Sequence, residues 1–414
     1  MPSDPFADLI EPFSRRGVDL GLERLTAALA DLGHPERQFT AVQVAGTNGK
    51  GSTCTLVHQA LLAAGIPAGL YTSPHLVSWT ERIRLGAAAI SQEALRHQLL
   101  AAQPAARRHG LTPFELVTAA AFLAFAAARV PLVVLEVGLG GRLDATTCHP
   151  DRGVIGLAPV GLDHREFLGS SLAAIAAEKA GVLHNGAMAI SGPQAAEVAA
   201  VFRQRADASG ANLRWVEPLA QRGDGALLVE GQWSPCGLAG AVQAHNAAVA
   251  QGMLQALAAR GWPIGAAAIR QGFAAARWPG RLQQHHWRGL PLLLDGAHNP
   301  AAAAALRAEL DGHPARHGLA AGRRHWVLGM LANKQAAEIL TALLGPEDRA
   351  WIVPVPDHAS WRAAELAAAC PALAGQLQPA GDLAAGLAAA GAGASGRVIV
   401  AGSLYLIGNL LEQG

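Results

Sequence analysis

The segment AVQVAGTNGKGST, residues 41–53, decides the fold that this sequence predicts. Residues 41–45 predict a short strand, and residues 54–64 predict a helix that ends at Gly65. A glycine-rich turn between a strand and a helix is the context that a phosphate-binding loop requires. Glycines let several backbone N–H groups turn towards phosphate oxygens, and the start of the helix adds its positive dipole end. The segment therefore predicts a nucleotide-binding α/β domain.

The side chains of this loop suit a nucleoside triphosphate. Lys50 offers a positive charge to the β- and γ-phosphates, and Ser52 or Thr53 offers a hydroxyl to phosphate or Mg²⁺. The alternative is a glycine turn with a solvated lysine. The spacing departs from GxxxxGK[ST], because the hydroxyl comes two residues after the lysine. The guanine-binding pattern Asn-Lys-x-Asp is not met either, since its nearest match, NKQA at 333–336, lacks the aspartate. ATP is therefore favoured over GTP.

Apolar strands alternate with helices along the rest of the chain. Such strands are typical of a mostly parallel sheet that helices cover on both faces, which is an α/β fold. In the first half, strands are predicted at 132–137 and 154–158, a helix at 172–183, and short edge strands within 211–240. In the second half, strands are predicted at 290–294, 325–328, 351–355 and 397–401, and a helix at 300–310.

Composition excludes several classes of protein. The chain has 414 residues, of which 51% are apolar and 15% charged, and this excludes disorder as the main state. A net charge of +1 argues against a nucleic-acid partner, because phosphate binding needs clustered Lys and Arg. The four cysteines lie far apart in the sequence, which is typical of a reducing cytosol. The longest apolar stretch, about 116–128, is too short to span a membrane, and the acidic N-terminus is not a signal peptide.

Polar residues at predicted strand ends are candidates for a magnesium site. Glu136 ends a strand that should be buried, so its carboxylate needs a partner, which is either a cation near the phosphates or Arg142. Ser73 follows a short strand and offers a hydroxyl oxygen, although Ser-Pro is usually only a turn. His164 follows the strand at 154–158 and could bind metal through a ring nitrogen. A lone histidine is more often structural.

Two further groups of residues stand where function concentrates. Lys179 ends a predicted helix, where a lysine ordinarily stabilises the helix dipole. Beside Mg²⁺ it would have to be neutral or chemically altered, for example carbamylated. Asp295 and His298 follow the strand at 290–294. Arg281 lies just before residue 284, which is close to where the sequence predicts a domain boundary.

With these residues assembled, the chain closely resembles the folylpolyglutamate synthase family of the Mur-ligase superfamily. The matching segments follow the family order over nearly the whole chain. They are GTNGKGS at 46–52, SPHL at 73–76, EVGLGGRLDAT at 136–146, LDH at 162–164, EKAG at 178–181, HN at 245–246, WPGRL at 278–282, DGAHNP at 295–300 and GSLY at 402–405. Thr147, where an Asn is usual, and Asn333, where an acid is common, depart from the family pattern.

The resemblance implies a division of labour along the chain. A P-loop-containing ATPase domain would span 1–284, a smaller Rossmann-like α/β domain would span 285–414, and catalysis would take place in the cleft between them. The implied ATP contacts are Thr47, Asn48, Gly49, Lys50, Gly51, Ser52, Asn246, Arg281 and Asp295. The implied Mg²⁺ ligands are Ser73, Glu136 and His164, and Lys179 is the implied carbamylated lysine. The implied contacts to the pterin acid are Asp19, Leu20, Gly21, Leu22, Thr112, Pro113, Phe114, Glu115, Leu143, Asp144 and Ala145, and those to glutamate are His298 and Ser403.

The implied activity is ATP-dependent amide formation between L-glutamate and the carboxylate of dihydropteroate, of folate, or of both. Lys50, Lys179, His164, Arg281 and His298 are the expected catalytic residues. The enzyme is expected to be a cytoplasmic monomer with no nucleic-acid or membrane partner. The alternatives are a Mur-type ligase acting on a UDP-sugar peptide and a P-loop ATP-binding regulator without ligase chemistry.

Overall fold

The computed structural model describes residues 4–319 and 322–413. The chain forms two compact units, the first running to Leu238 and continuing over Val242–Arg277. The second contains Ala239–Ala241 and the chain from Trp278 onward. This division lies slightly upstream of the predicted boundary at 284, because the strand Gln283–Trp287 pairs with the strand that follows it.

The first unit is built on an eight-stranded sheet in the order β4-β3-β2-β5-β1-β6-β7-β8. Its strands are β1 (Thr40–Ala45), β2 (Ala68–Tyr71), β3 (Ile83–Leu85), β4 (Ala88–Ala89), β5 (Leu132–Glu136), β6 (Val154–Leu157), β7 (Met188–Ser191) and β8 (Asn212–Trp215). The six strands from β2 to β8 in this order are parallel, and only β3 and β4 pair antiparallel. A separate hairpin comprises β9 (Leu227–Val229) and β10 (Gln232–Ser234).

Helices cover this sheet and bury its apolar strands. They are α1 (Ala7–Ile10), α2 (Glu23–Asp31), α3 (Lys50–Ala63), α4 (Gln92–His109), α5 (Pro113–Ala127), α6 (Arg165–Leu168), α7 (Leu172–Ala180), α8 (Ala196–Ser209), α9 (Gln243–Ala259) and α10 (Ala266–Ala275). All five residues of β5 are buried, as expected for a parallel strand with both faces covered. The phosphate-loop strand β1 lies between β5 and β6, so the loop leaves the middle of the sheet.

The second unit contains a six-stranded sheet in the order β11-β12-β16-β13-β14-β15. Its strands are β11 (Gln283–Trp287), β12 (Leu290–Asp295), β13 (His325–Leu328), β14 (Arg349–Ile352), β15 (Leu377–Pro379) and β16 (Val398–Ala401). Its helices are α11 (Pro300–Gly312), α12 (Ala336–Leu343), α13 (Ala363–Ala369), α14 (Leu383–Gly393) and α15 (Leu404–Glu412). Only β11 is antiparallel to its neighbour.

The predicted mostly parallel α/β class is confirmed, and the differences are local. The strand predicted at 351–355 was wrong at its end, since β14 stops at Ile352; Pro354 has no N–H to donate to a ladder. The helix after the phosphate loop begins at Lys50, earlier than residue 54, because Gly49 in a left-handed conformation caps it. Among the described residues, no helix is long and apolar enough to cross a membrane.

Candidate active site

Two glycines of the phosphate loop have positive φ angles and lie so close to neighbouring residues that a side chain would not fit. Gly46 has φ +147, and a Cβ there would lie 2.7 Å from the Cβ of Ala158. Gly49 has φ +86, and a Cβ there would lie 2.2 Å from Oδ1 of Asn246 on α9. The turn therefore requires glycine at both positions, and Asn246 is brought against the loop.

Hydrogen bonds hold the loop on the segment that follows β6. The N–H groups of Thr47 and Asn48 donate to the carbonyl of Pro159 at 2.9 and 3.2 Å. The Thr47 hydroxyl donates to the carbonyl of Gly161 at 3.0 Å, and the Lys50 ammonium donates to the carbonyl of Thr47 at 3.1 Å. The first N–H groups of α3, which have no acceptor within the helix, are the natural donors to a phosphate.

Ser73 and Glu136 meet at the carboxyl ends of neighbouring strands. The N–H of Ser73, just after β2, donates to Oε2 of Glu136 at the end of β5, at 3.2 Å. Glu136 is buried. Burial, followed by the charge of Glu136, raises the pKa of the Cys54 thiol, whereas Lys50 lowers it. Both charges therefore act on the first turn of α3, and the carboxylate lies close to the phosphate loop.

The surroundings of Glu136 are compatible with the predicted magnesium site. Arg142, the alternative partner, forms its ion pair with Glu178 at 2.8 Å. A buried carboxylate that accepts from the backbone of Ser73 near a phosphate loop suits Mg²⁺, which prefers oxygen ligands and retains several waters. In the described part of the chain, no three or more His, Cys, Asp or Glu side chains gather as a metal cluster. The predicted set needs none, since it contains one carboxylate, one hydroxyl and one imidazole.

His164 lies in the loop after β6, and β6 is the neighbour of β1, the strand that leads into the phosphate loop. Its φ of 50 is left-handed, and it caps the short helix α6. Its ring Nε2 is 4.0 Å from Oδ1 of Asp163, and its side chain is 38% exposed. A partly exposed imidazole remains accessible to a metal ion, and the neighbouring carboxylate can orient it.

Lys179 is buried at the end of α7, close to other charges of the site. Burial first, and the charge of Lys50 second, lower its pKa to about 7, while Asp163 and Asp144 act in the opposite direction. A Cβ on Gly141 would lie 2.8 Å from the carbonyl oxygen of Lys179, so the Glu136–Ala145 segment packs directly on this helix end. With that pKa, about half of the Lys179 amine is neutral at pH 7, and a neutral amine is a nucleophile that can react with CO₂.

The three segments predicted to hold the pterin acid are connected to one another. The Arg24 guanidinium bridges Asp19 at 2.9 Å and Glu115 at 3.4 Å. Glu115 and Thr112 form a capping box at the start of α5. The structure thus links the first predicted segment to the second.

The second segment in turn packs on the loop that carries the third. The Phe114 ring lies against Gly138, where a Cβ would come within 2.5 Å of it. The N–H of Gly138 donates to the carboxylate of Asp144 at 3.0 Å. The chain of contacts therefore runs from the N-terminal segment through α5 to Leu143, Asp144 and Ala145.

The predicted residues of the second unit cluster at the carboxyl end of β12. Asp295 is buried and accepts from the N–H groups of Leu282 at 3.0 Å and Ala297 at 2.9 Å. A Cβ on Gly296 would lie 2.3 Å from the Arg281 guanidinium. His298 Nδ1 contacts the Gly296 carbonyl at 2.8 Å.

Ser403 lies beside this cluster. Its hydroxyl caps α15. The loop that follows β16 contacts the loop that follows β12, because the N–H of Gly402 donates to the carbonyl of Ala297 at 3.1 Å. The structure therefore brings Arg281, Asp295, His298 and Ser403 to one edge of the second sheet.

Sequence reasoning missed Arg24, Gln43 and Arg152. Arg24 ties together two predicted substrate segments, and the other two form a buried network that is described below. Gln43 carried a usable signal, because a glutamine within the apolar strand AVQVA predicts a buried amide that needs partners.

Comparison with known proteins places this chain in a family. A family model described as "Dihydrofolate synthetase, C-terminal domain" matches residues 280–413. The dihydrofolate synthase/folylpolyglutamate synthase of Escherichia coli K12 is 34% identical over 364 residues, which are 86% of this chain and 82% of that protein. The chain belongs to the dihydrofolate synthase/folylpolyglutamate synthase family. As a member of that family it is an ATP-dependent ligase, and this confirms the predicted enzyme class.

Two solved structures similar to this chain illustrate what such proteins bind: both carry a nucleotide, and the second of the two also carries a metal ion. "E.coli FolC in complex with DHPP and ADP" has a TM-score of 0.87 at 31% identity, covering 99% of this chain and 98% of that one. A bifunctional folylpolyglutamate synthase/dihydrofolate synthase with Mn, AMPPNP and L-glutamate bound has a TM-score of 0.84 at 30% identity, covering 100% of this chain and 98% of that one. These similarities confirm the predicted two-part fold and the predicted use of ATP and a divalent metal.

Proposed function

We propose that this chain joins the amino group of L-glutamate to the carboxylate of dihydropteroate, of tetrahydrofolate, or of both, through an acyl phosphate formed with ATP. One observation carries the proposal. The phosphate loop with Lys50 and the hydrogen-bonded pair Ser73–Glu136 lie at the same edge of one sheet. The names and bound molecules of the similar proteins support the choice of substrates.

The chemistry requires an activated acid, because a carboxylate is a poor electrophile. One carboxylate oxygen attacks the γ-phosphorus of ATP, and ADP leaves. The glutamate nitrogen then attacks the acyl carbon, and inorganic phosphate leaves with the former carboxylate oxygen as the amide forms. Such a sequence depends on positioning and charge neutralisation more than on covalent help from the protein.

The residues of the first unit fit the first step. The Lys50 ammonium, positioned at 3.1 Å from the Thr47 carbonyl, neutralises charge on the transferred phosphoryl group. Ser73, Glu136 and His164 supply the oxygen and nitrogen ligands for Mg²⁺, which when bound neutralises phosphate charge. Lys179, as its carbamate, supplies an anionic oxygen near the acid substrate or a second metal. Asn246 contacts the nucleotide beside Gly49.

The remaining contacts complete the substrate assignments. Arg281 and Asp295 of the second unit contact ATP, and His298 and Ser403 contact the incoming glutamate. The pterin end of the acid is held by the connected segments that contain Leu20, Gly21 and Leu22, Pro113 and Phe114, and Leu143 and Ala145.

A product assay tests the proposal. The protein is incubated with ATP, Mg²⁺ and L-glutamate plus either dihydropteroate or tetrahydrofolate, and the products are identified by mass spectrometry. The expected product carries one added glutamyl residue, and Lys50→Ala abolishes its formation. ADP release that is independent of glutamate, or near-normal turnover by Lys50→Ala, would contradict the proposal.

A further inference from the structure

A buried amide in the phosphate-loop strand reaches the loop that follows β5. Gln43 has no exposed surface. Its Nε2 donates to the hydroxyls of Thr146 at 2.8 Å and Thr147 at 3.0 Å, and its Oε1 accepts from Nη1 of Arg152 at 2.6 Å. A side chain three residues before the loop glycine Gly46 therefore holds the neighbouring substrate segment.

Asp144 stands at the other end of these contacts, and its hydrogen-bonding capacity is already used. Its Oδ2 accepts from the N–H groups of Gly138 and Leu139, both at 3.0 Å. Its Oδ1 accepts from the N–H of Thr146 at 3.0 Å and from the hydroxyl of the same residue at 2.6 Å. A carboxylate has about four acceptor sites. Each oxygen of Asp144 therefore accepts two hydrogen bonds from the loop to which Asp144 itself belongs.

Arg152 extends the contacts to the segment after α7. Besides Gln43, its guanidinium donates to the carbonyls of His149 at 2.7 Å and Val182 at 3.1 Å. All three acceptors are neutral oxygens. Among the residues that the structure describes, these donors therefore hold a buried cation without a carboxylate at hydrogen-bond distance, which is a costly arrangement. Burial lowers the pKa of Arg152 to about 10, and the group therefore stays charged at neutral pH.

We propose that Gln43 and Arg152 are positioning residues for the acid substrate, because they fix the 138–147 loop on the phosphate-loop strand. Gln43, Asp144, Thr146, Thr147 and Arg152 form what we term the positioning network. It fixes the loop between Glu136, the proposed metal ligand, and Leu143 and Ala145, the proposed substrate contacts. The proposal rests on the proposed function for the identity of the acid.

The directions of the hydrogen bonds define a sharp substitution. The Thr146 hydroxyl donates its hydrogen to Asp144, and the Thr147 hydroxyl donates its hydrogen to the Gly141 carbonyl at 2.7 Å. Both hydroxyls can therefore only accept from residue 43. Gln43→Glu keeps the shape of the side chain and an oxygen for Arg152, but it places a second oxygen against two oxygens that have no hydrogen to give.

The experiment compares Gln43→Glu with a matched control, Gln376→Glu. Gln376 lies in the second unit, where its Nε2 also donates twice, at 2.7 Å each, to the carbonyls of Gly345 and Pro346. Steady-state kinetics give KM for dihydropteroate and for ATP. Hydrogen exchange with mass spectrometry gives the protection of peptides that cover 137–147.

The expected result is selective. Gln43→Glu raises KM for dihydropteroate by at least about tenfold, equivalent to about 1.4 kcal/mol, and accelerates exchange in 137–147. KM for ATP changes by less than about threefold, because a positioning role affects one substrate more than the other. Gln376→Glu changes neither KM nor exchange in 137–147. Arg152→Lys, which keeps one donor for Gln43, falls between the wild type and Arg152→Met.

Other results overturn the inference. An unchanged KM for dihydropteroate, or equal increases in both KM values, shows that Gln43 is only structural. If the wild type uses only tetrahydrofolate, KM is measured for that acid instead. If the wild type makes no product from either acid, the proposed function fails, and the exchange measurement alone decides the positioning network. Should Gln43→Glu fail to fold, the Arg152→Lys and Arg152→Met pair provides the same two readouts.

Discussion

Alanine at position 49 would place a methyl group where the phosphate loop meets α9. The new Cβ would lie 2.2 Å from Oδ1 of Asn246, whereas ordinary contact begins near 3.4 Å, so the Asn246 side chain or the loop must move by about an ångström. Asn246 is buried, and its amide nitrogen donates to Gln243 at 2.9 Å, so it cannot simply swing aside. We expect the loop to lose the geometry that ATP requires.

A matched glycine at the other end of the same helix separates two effects. Gly65 follows α3 with φ +76, and a Cβ there would meet nothing within 4 Å. Alanine at either position pays the left-handed backbone cost of about 1–2 kcal/mol. Only Gly49→Ala adds the clash, and a lost or distorted polar contact in the site is worth about 1–3 kcal/mol. Gly49→Ala should therefore weaken ATP binding about 10- to 100-fold beyond Gly65→Ala.

Two assays check this comparison. Calorimetric titration with a non-hydrolysable ATP analogue gives Kd, and urea unfolding gives the free energy of unfolding. A larger loss of stability in Gly49→Ala than in Gly65→Ala, with weaker nucleotide binding in Gly49→Ala alone, is expected. Equal Kd values for the two variants would refute the reasoning about Asn246.

Three further substitutions test charges in the structure. Burial and Lys50 lower the pKa of Lys179 from its ordinary value of 10.5 to about 7. Between these two pH values the folded chain therefore binds fewer protons than the unfolded chain. In carbonate-free buffer, Lys179→Met should therefore raise the free energy of unfolding by up to about 4 kcal/mol at pH 7 and by progressively less towards pH 10. Urea unfolding measures this difference, and an effect that does not depend on pH would contradict the lowered pKa. Glu136→Gln, which keeps an acceptor for Ser73, should raise the Mn²⁺ concentration for half-maximal activity at least about tenfold, whereas unchanged metal dependence would remove Glu136 from the site. Burial alone would raise the pKa of Glu309, but hydrogen bonds from His317 and Ala241 lower it to about 2, so its stabilisation is complete above pH 4.5 and lost as the pH falls towards 2. Glu309→Gln should accordingly lower the free energy of unfolding by about 1–3 kcal/mol at pH 7 and by less at pH 3, and an equal loss at both values would contradict this.

The order and type of the main elements could be predicted because the signals are local. The apolar runs that became β5 and β6, and the glycine turn before α3, are each specified within a few residues. The predicted strand at 351–355 was wrong at its end because Pro354, which has no N–H to donate to a ladder, interrupts the apolar run after β14.

The contacts of the site depend on long-range packing, which single-sequence patterns do not contain. The sequence could place Ser73 and Glu136 at strand ends, but only the strand order β2-β5-β1 brings the backbone N–H of Ser73 to the Glu136 carboxylate. The same is true of Arg24, which bridges residues far apart in the chain. The lowered pKa of Lys179 follows first from its burial, and a helix-end lysine in a sequence predicts the opposite, a solvated ammonium.

The central claim is that ATP converts the acid into an acyl phosphate before glutamate attacks, and isotope transfer tests it most directly. Dihydropteroate labelled with ¹⁸O in its carboxylate is turned over with ATP and L-glutamate, and the phosphate released is analysed by ³¹P NMR. If the account is correct, each phosphate carries one oxygen from the labelled carboxylate. Phosphate without label, released while the amide forms, would contradict it.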